Sequence, residues 1–87
     1  QNEKNEKNVD LISIDSPMVG IIYLTPKPSS PPFAKKGQKI KKGETICLIE
    51  AMKTFNEIKS DRDCIIREVL VKNGEAVEFG QPLFEIS

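Results

Sequence analysis

The one side chain placed to take part in chemistry is Lys53, in the string Glu50-Ala51-Met52-Lys53-Thr54, where one strand-like run ends and the next begins. A lysine between two strands carries its amine on a long arm in water. As an ammonium it is a poor nucleophile at neutral pH, so acylating it needs a base and an activated acyl donor from another enzyme. The rest of the chain offers little. It has no histidine for acid–base work and no GxxxxGK[ST] loop to cradle phosphate, so nothing points to a catalytic centre. Cys47 and Cys64 are too few for a disulfide scaffold and fall short of the four Cys or His ligands of a structural zinc site. They read as small buried apolar residues in a reducing compartment. Taken by itself, Lys53 is one exposed lysine among many. Its meaning depends on what holds it.

The charge balance excludes some partners. Thirteen Lys and Arg face thirteen Asp and Glu, so nucleic acid and anionic membranes have no electrostatic claim on the chain. The local exception is Lys35, Lys36, Lys39, Lys41 and Lys42. No aromatic residue interleaves with them, as single-strand binding would want, and lysines on a strand edge block unwanted pairing. No apolar stretch has the length of a membrane span. The sequence opens without a signal peptide or an initiator Met, which suits a piece cut from a longer chain.

The elements that must position Lys53 are short. Residues 1–8, QNEKNEKN, are polar and read as flexible linker, with the folded domain over residues 9–87. Runs of β-branched residues broken by Gly, Pro and Asp predict strands over 11–14, 19–24, 45–50, 54–59, 65–71 and 82–86, with shorter ones at 39–40 and 76–77. No segment sustains an apolar stripe at helical period. The class is all-β, curled into a sandwich or barrel.

An internal repeat supports this. Residues 37–50, GQKIKKGETICLIE, align without a gap on residues 74–87, GEAVEFGQPLFEIS, at an offset of 37. Gly37 meets Gly74 and Gly43 meets Gly80, which suggests the same backbone demand at each turn, a positive φ or a close approach. Upstream, Ile21-Ile22 matches Ile65-Ile66 at an offset of 44, so the first half holds seven extra residues. They fall in residues 25–32, TPKPSSPP, which contain four of the six prolines. Proline fixes φ and removes a donor, so this segment is a stiff projecting loop rather than a central strand.

The string Glu50-Ala51-Met52-Lys53 resembles the attachment motif of biotinyl domains, in which this lysine forms an amide with biotin. The stretches Ser16-Pro17-Met18-Val19-Gly20, Gly37 to Glu44, Asn56-Glu57-Ile58 and Gly74 to Leu83 resemble the family's flanking signatures. The resemblance spans about residues 11–87 and implies a flattened β-barrel of two four-stranded antiparallel sheets with pseudo-twofold symmetry. The proline-rich insertion resembles the "thumb" of the carrier subunits of multi-subunit acetyl-CoA carboxylases, which touches biotin through its first threonine, here Thr25.

The implied work is carriage. Biotin on Lys53 would take a carboxyl group from biotin carboxylase to a carboxyltransferase, for malonyl-CoA and fatty acid synthesis. A biotin protein ligase would recognise Glu50, Ala51, Met52 and Thr54 around the hairpin tip. The compartment would be the cytoplasm, or alternatively the plastid stroma. Two positions depart from the pattern. Thr54 stands where methionine is frequent, and, as a good strand residue, it should leave the hairpin and biotinylation intact. Cys64 stands where glycine is common, and is expected at negative φ or with slight strain. Two other readings remain open. One is a lipoyl-type carrier, which usually has Asp-Lys-Ala at its tip and no such insertion. The other is an unmodified β-module that binds a protein partner.

Overall fold

The computed structural model describes residues 10–87, and residues 1–8, read as linker, lie outside the described residues together with Val9. Eight strands form in chain order: β1 (Ile12–Asp15), β2 (Gly20–Tyr23), β3 (Lys39–Ile40), β4 (Thr45–Ala51), β5 (Thr54–Lys59), β6 (Cys64–Val69), β7 (Ala76–Val77) and β8 (Pro82–Ile86). They build two four-stranded sheets in the orders β1-β8-β6-β3 and β5-β4-β2-β7, with every pairing antiparallel. The expected all-β architecture of two such sheets is present, and no helix occurs among the described residues.

Alternation explains why these residues make strands. Ile22, Ile46, Ile49, Ile66, Leu83, Phe84 and Ile86 are fully buried or nearly so and fill the space between the sheets. Around Ile22, Ile49 and Ile66 the strand neighbours face outward, as the two-residue period requires, whereas Ile46 with Cys47 and Leu83 with Phe84 are buried in succession. Cys47 and Cys64 are free and buried in the same core. Cys64 lies in β6 without positive φ, so it carries no strain of the left-handed kind, and its sulfur sits 3.8 Å from Ser60 Oγ. β3, β5, β7 and β8 match the expected bounds, and the other strands differ at an end by one or two residues. The largest change is β6, which starts at Cys64 and stops at Val69, whereas the apolar run continues to Val71. Val71 is buried from the loop. Hydrophobic pattern therefore located core contact there but not strand pairing.

The repeat in sequence is a repeat in hydrogen bonding. Gly37 N–H donates to Ile66 O at 2.7 Å, and Gly74 N–H donates to Ile22 O at 2.7 Å. Gly43 N–H donates to Ser60 O at 2.8 Å, and Gly80 N–H to Ser16 O at 2.8 Å. Ser60 and Ser16, the two buried polar side chains among the described residues, each donate a hydroxyl at 2.6 Å to a carbonyl two residues on, Arg62 O and Met18 O. Gly43 and Gly80 have φ of 90° and 83°, and a Cβ on either would meet nothing. Of the two demands expected of them, positive φ is the one that holds.

The basic run is where expected. β3 is the edge of its sheet, with Lys39 exposed and Ile40 buried. Lys36 pairs with Glu68 at 3.1 Å, and both side chains remain well exposed.

Candidate functional site: a lysine hairpin beside a proline-rich loop

Strands β4 and β5 pair from Thr45↔Lys59 to Ala51↔Thr54, which leaves only Met52 and Lys53 in the connection. Both have positive φ, 52° and 66°. Two left-handed central residues in a two-residue hairpin loop define a type I′ turn, whose twist matches that of the flanking strands. Asn and Gly usually fill these positions, and Met and Lys hold them at a cost. Met52 is 95 % exposed and Lys53 is exposed beside it. Among the described residues the Lys53 side chain makes no hydrogen bond or ion pair. Thr54 pairs with Ala51 and opens β5, so the hairpin accommodates it.

Glu50 points to the outer face of its sheet. Tyr23, on the neighbouring strand β2, donates its hydroxyl to Glu50 Oε1 at 3.2 Å. Phe55 sits directly across from Glu50, and its ring lies 5.8 Å from that of Tyr23 at an interplanar angle of 55°. Partial burial, then the hydrogen bond to Glu50 and its charge, raise the Tyr23 pKa above its ordinary value.

Gly20 makes this close packing possible. A Cβ at Gly20 would drive into the Glu50 carbonyl oxygen and lie 2.7 Å from Ile49 Cγ2.

The proline-rich insertion rises from the end of β2. The Phe33 N–H donates to Leu24 O at 2.9 Å and closes its base, while Leu24 N–H donates to Asn73 Oδ1 at 2.6 Å. At its tip, Ser30 N–H donates to Lys27 O at 3.1 Å, around Pro28 and a Ser29 of φ 73°. Proline at the second position and positive φ at the third are the marks of a type II turn. Between this loop and the sheet lies a groove of about 350 Å³, lined by Tyr23, Thr25, Pro26, Leu48 and Phe55 among others.

The structure thus gathers Glu50, Ala51, Met52, Lys53 and Thr54 into one hairpin. Thr25 lines the adjoining groove with Phe55, two residues from Lys53. The sequence reading missed Tyr23 and Phe55. A hint existed in the alternation, because Tyr23, Leu48 and Phe55 are large apolar residues on outward positions.

Paired β-sheets related by an internal twofold, with a solvent-borne lysine on a type I′ turn, define a domain of the biotinyl and lipoyl class. A family model described as "Biotin-requiring enzyme" matches residues 12–86, and the chain belongs to that family. It is 47 % identical over 73 residues to the biotin carboxyl carrier protein of acetyl-CoA carboxylase of Streptococcus pyogenes, covering 84 % of this chain and 44 % of that protein. It is 47 % identical over 76 residues to the protein of that name in Nostoc, covering 87 % and 42 %. With a chloroplastic form from Arabidopsis thaliana it shares 45 % over 74 residues, covering 85 % and 29 %. The chain spans less than half the length of these relatives. Among solved structures, Kluyveromyces lactis urea carboxylase matches with a TM-score of 0.72 at 26 % identity, over 91 % of this chain and 6 % of that one. A single-chain, multi-domain long-chain acyl-CoA carboxylase matches in fold, with a TM-score of 0.76 at 21 % identity, over 88 % and 7 %. The described residues contain no helix long and apolar enough to cross a membrane.

Proposed function

We propose that Lys53 is the site of covalent biotin attachment, and that the domain carries a carboxyl group from a biotin carboxylase to a carboxyltransferase in acetyl-CoA carboxylase. One observation carries this: an exposed amine on a two-residue turn, clear of side-chain partners among the described residues. The relatives' names support the choice of cargo, and the proline-rich loop supports the choice of carboxylase. The bacterial and chloroplastic relatives fit a cytoplasmic or stromal setting.

Attachment forms one bond, between Lys53 Nζ and the carboxyl carbon of biotin. The activating group leaves, and the nitrogen gives its protons to the ligase's base. Once bound, biotin supplies a ureido nitrogen that accepts and gives up a carboxyl group. The chain's residues do the rest. The type I′ turn fixes where the arm starts, so less orientational freedom is lost at each visit to a partner. The groove offers apolar walls in Tyr23, Pro26, Leu48 and Phe55 for a ring, with the Thr25 hydroxyl as a donor or acceptor for a urea. These residues fit the group. The prolines leave the loop little freedom to lose on contact. Tethering such a domain to its partners raises the effective concentration at each of them.

Intact-mass analysis after incubation with biotin protein ligase, biotin and ATP tests the reading. The wild-type chain should gain one biotinyl group, mapped to Lys53, and Lys53→Arg should gain none with its circular dichroism unchanged. Biotin on the arginine variant, or a lipoyl increment on cellular protein, overturns it.

A further inference from the structure

The internal twofold supplies a control that single-copy domains lack. Each end of the barrel is built from the same backbone parts, so differences in side chain between the ends are not demanded by the fold. At the end carrying Lys53, the parts are residues 16–19 and 78–81. Ser16 N–H donates to Gln81 O, and Gly80 N–H donates to Ser16 O. At the far end the parts are residues 60–63 and 41–44, with Ser60 N–H donating to Glu44 O and Gly43 N–H to Ser60 O. Glu78 N–H is capped by Gln81 Oε1 at 2.9 Å, as Lys41 N–H is by Glu44 Oε1 at 2.9 Å.

The side chains on these matched frames are opposite in kind. Asp61, Arg62 and Asp63 at the far end correspond to Pro17, Met18 and Val19, and Lys42 corresponds to Phe79. Charge survives at the Lys53 end in Glu78, the mate of Lys41. Phe79 is 75 % exposed, Val19 63 % and Met52 95 %, the three most exposed large apolar side chains described. Val19 and Met52 line one concavity, and the register Gly20↔Val77 brings the turn bearing Phe79 alongside Val19.

Val19 also displaces a working residue. At the far end the Asp63 carboxylate accepts from Lys42 N–H at 2.8 Å. The matching valine offers Phe79 N–H no acceptor. The Lys53 end thus gives up a cap and exposes apolar surface, two costs for the isolated fold.

We infer that Val19, Met52 and Phe79 form the docking surface for the enzyme that acylates Lys53, a deepening that rests on the function proposed above. Length selects this partner. The unmodified amine sits on a four-carbon stem, so an enzyme that bonds to it must close over the surface around the tip. The lengthened arm reaches later active sites from further away. Burying three large exposed apolar side chains is the way such contacts gain affinity.

The test grafts the far end's residues onto the Lys53 end, where the matched frame already shows that they fit. Val19→Asp with Phe79→Lys should keep the fold by circular dichroism and thermal melting. It should raise the ligase KM for the carrier by about tenfold or more, with kcat little changed. Lys42→Phe at the far end should leave both constants at wild-type values. Wild-type KM in the folded double variant, with Lys53 still labelled, overturns the docking surface and leaves the attachment site standing. Wild-type ligase kinetics with slowed carboxylation assigns the surface to the carboxylase and overturns the inference. A wild-type chain that takes up no biotin overturns both.

Discussion

The Tyr23 hydroxyl donates to the Glu50 carboxylate across two neighbouring strands, 3.2 Å apart. This bond ties the strand that feeds the proline-rich loop to the strand that ends at Lys53. The root of the loop and the root of the hairpin are thereby joined through side chains as well as through the sheet.

Tyr23 is the chain's one tyrosine, so its ionisation can be followed alone by absorbance at 295 nm. Its pKa is raised above 10.0, by partial burial first and then by Glu50. Folding therefore favours the neutral phenol. That contribution to stability is complete below pH 10.0 and is lost as pH rises through the folded value. The native midpoint should lie above that of the urea-unfolded chain. Glu50→Gln should bring it part of the way down, since burial remains. Coincident native and unfolded midpoints would contradict the contact.

Two glycine substitutions should separate two physical demands. Gly20→Ala puts a Cβ against the Glu50 carbonyl oxygen and Ile49, both held by the sheet. Overpacking of this kind costs about 1–3 kcal/mol, and the damage falls where β2 meets the root of the hairpin. Gly43→Ala meets no atom and pays for its φ of 90° alone, about 1 kcal/mol. Both variants should melt lower, Gly43→Ala by about 4–8 °C. Gly20→Ala should also slow biotin incorporation, and Gly43→Ala should not. Equal biotinylation rates in the two would mean that the close approach at Gly20 does not reach the hairpin.

Much of this was legible in the sequence because the same pattern occurs twice. The offset of 37 placed four glycines at equivalent turns, and all four have positive φ between 83° and 90°. Alternation found the strands to within two residues, and the seven-residue excess found the projecting loop. Other features left little signal. Met52 and Lys53 adopt left-handed φ although neither residue type favours it, because the β4–β5 register leaves a two-residue loop whose type I′ turn matches the strand twist. The offset of 44 that sets Ile21 on Ile65 also sets Ser16 on Ser60, but Pro-Met-Val follows one serine and Asp-Arg-Asp the other, and the hydrogen bonds are what show the shared frame.

Cys47 is fully buried, and burial alone pushes its thiol pKa up to about 12. The reacting species is the thiolate, so the native protein should not label there with iodoacetamide at pH 8. Labelling should appear with unfolding, at a rate that tracks denaturant. Peptide mapping separates Cys47 from Cys64, which keeps 8 % of its surface. Fast native labelling at Cys47 would show that β4 opens locally, which its place between β5 and β2 argues against.

Removing residues 27–31 tests whether the proline-rich loop serves function or fold. The loop's base is closed by the bond from Phe33 N–H to Leu24 O, and the nearby core residue Ala34 lies beyond the cut. Shortening a loop whose ends already meet lowers its closure entropy cost by only about 1 kcal/mol, at about 0.6 kcal/mol per halving. The variant should therefore melt within a few degrees of wild type and accept biotin at an unchanged rate. The groove, however, loses Lys27 and Pro28 from its wall. If that wall positions the cargo, carboxylation turnover should fall by about tenfold or more, the scale set by losing a positioning contact. A deletion that unfolds the domain would make the segment a structural brace. One that folds and turns over like wild type would leave the groove without a role.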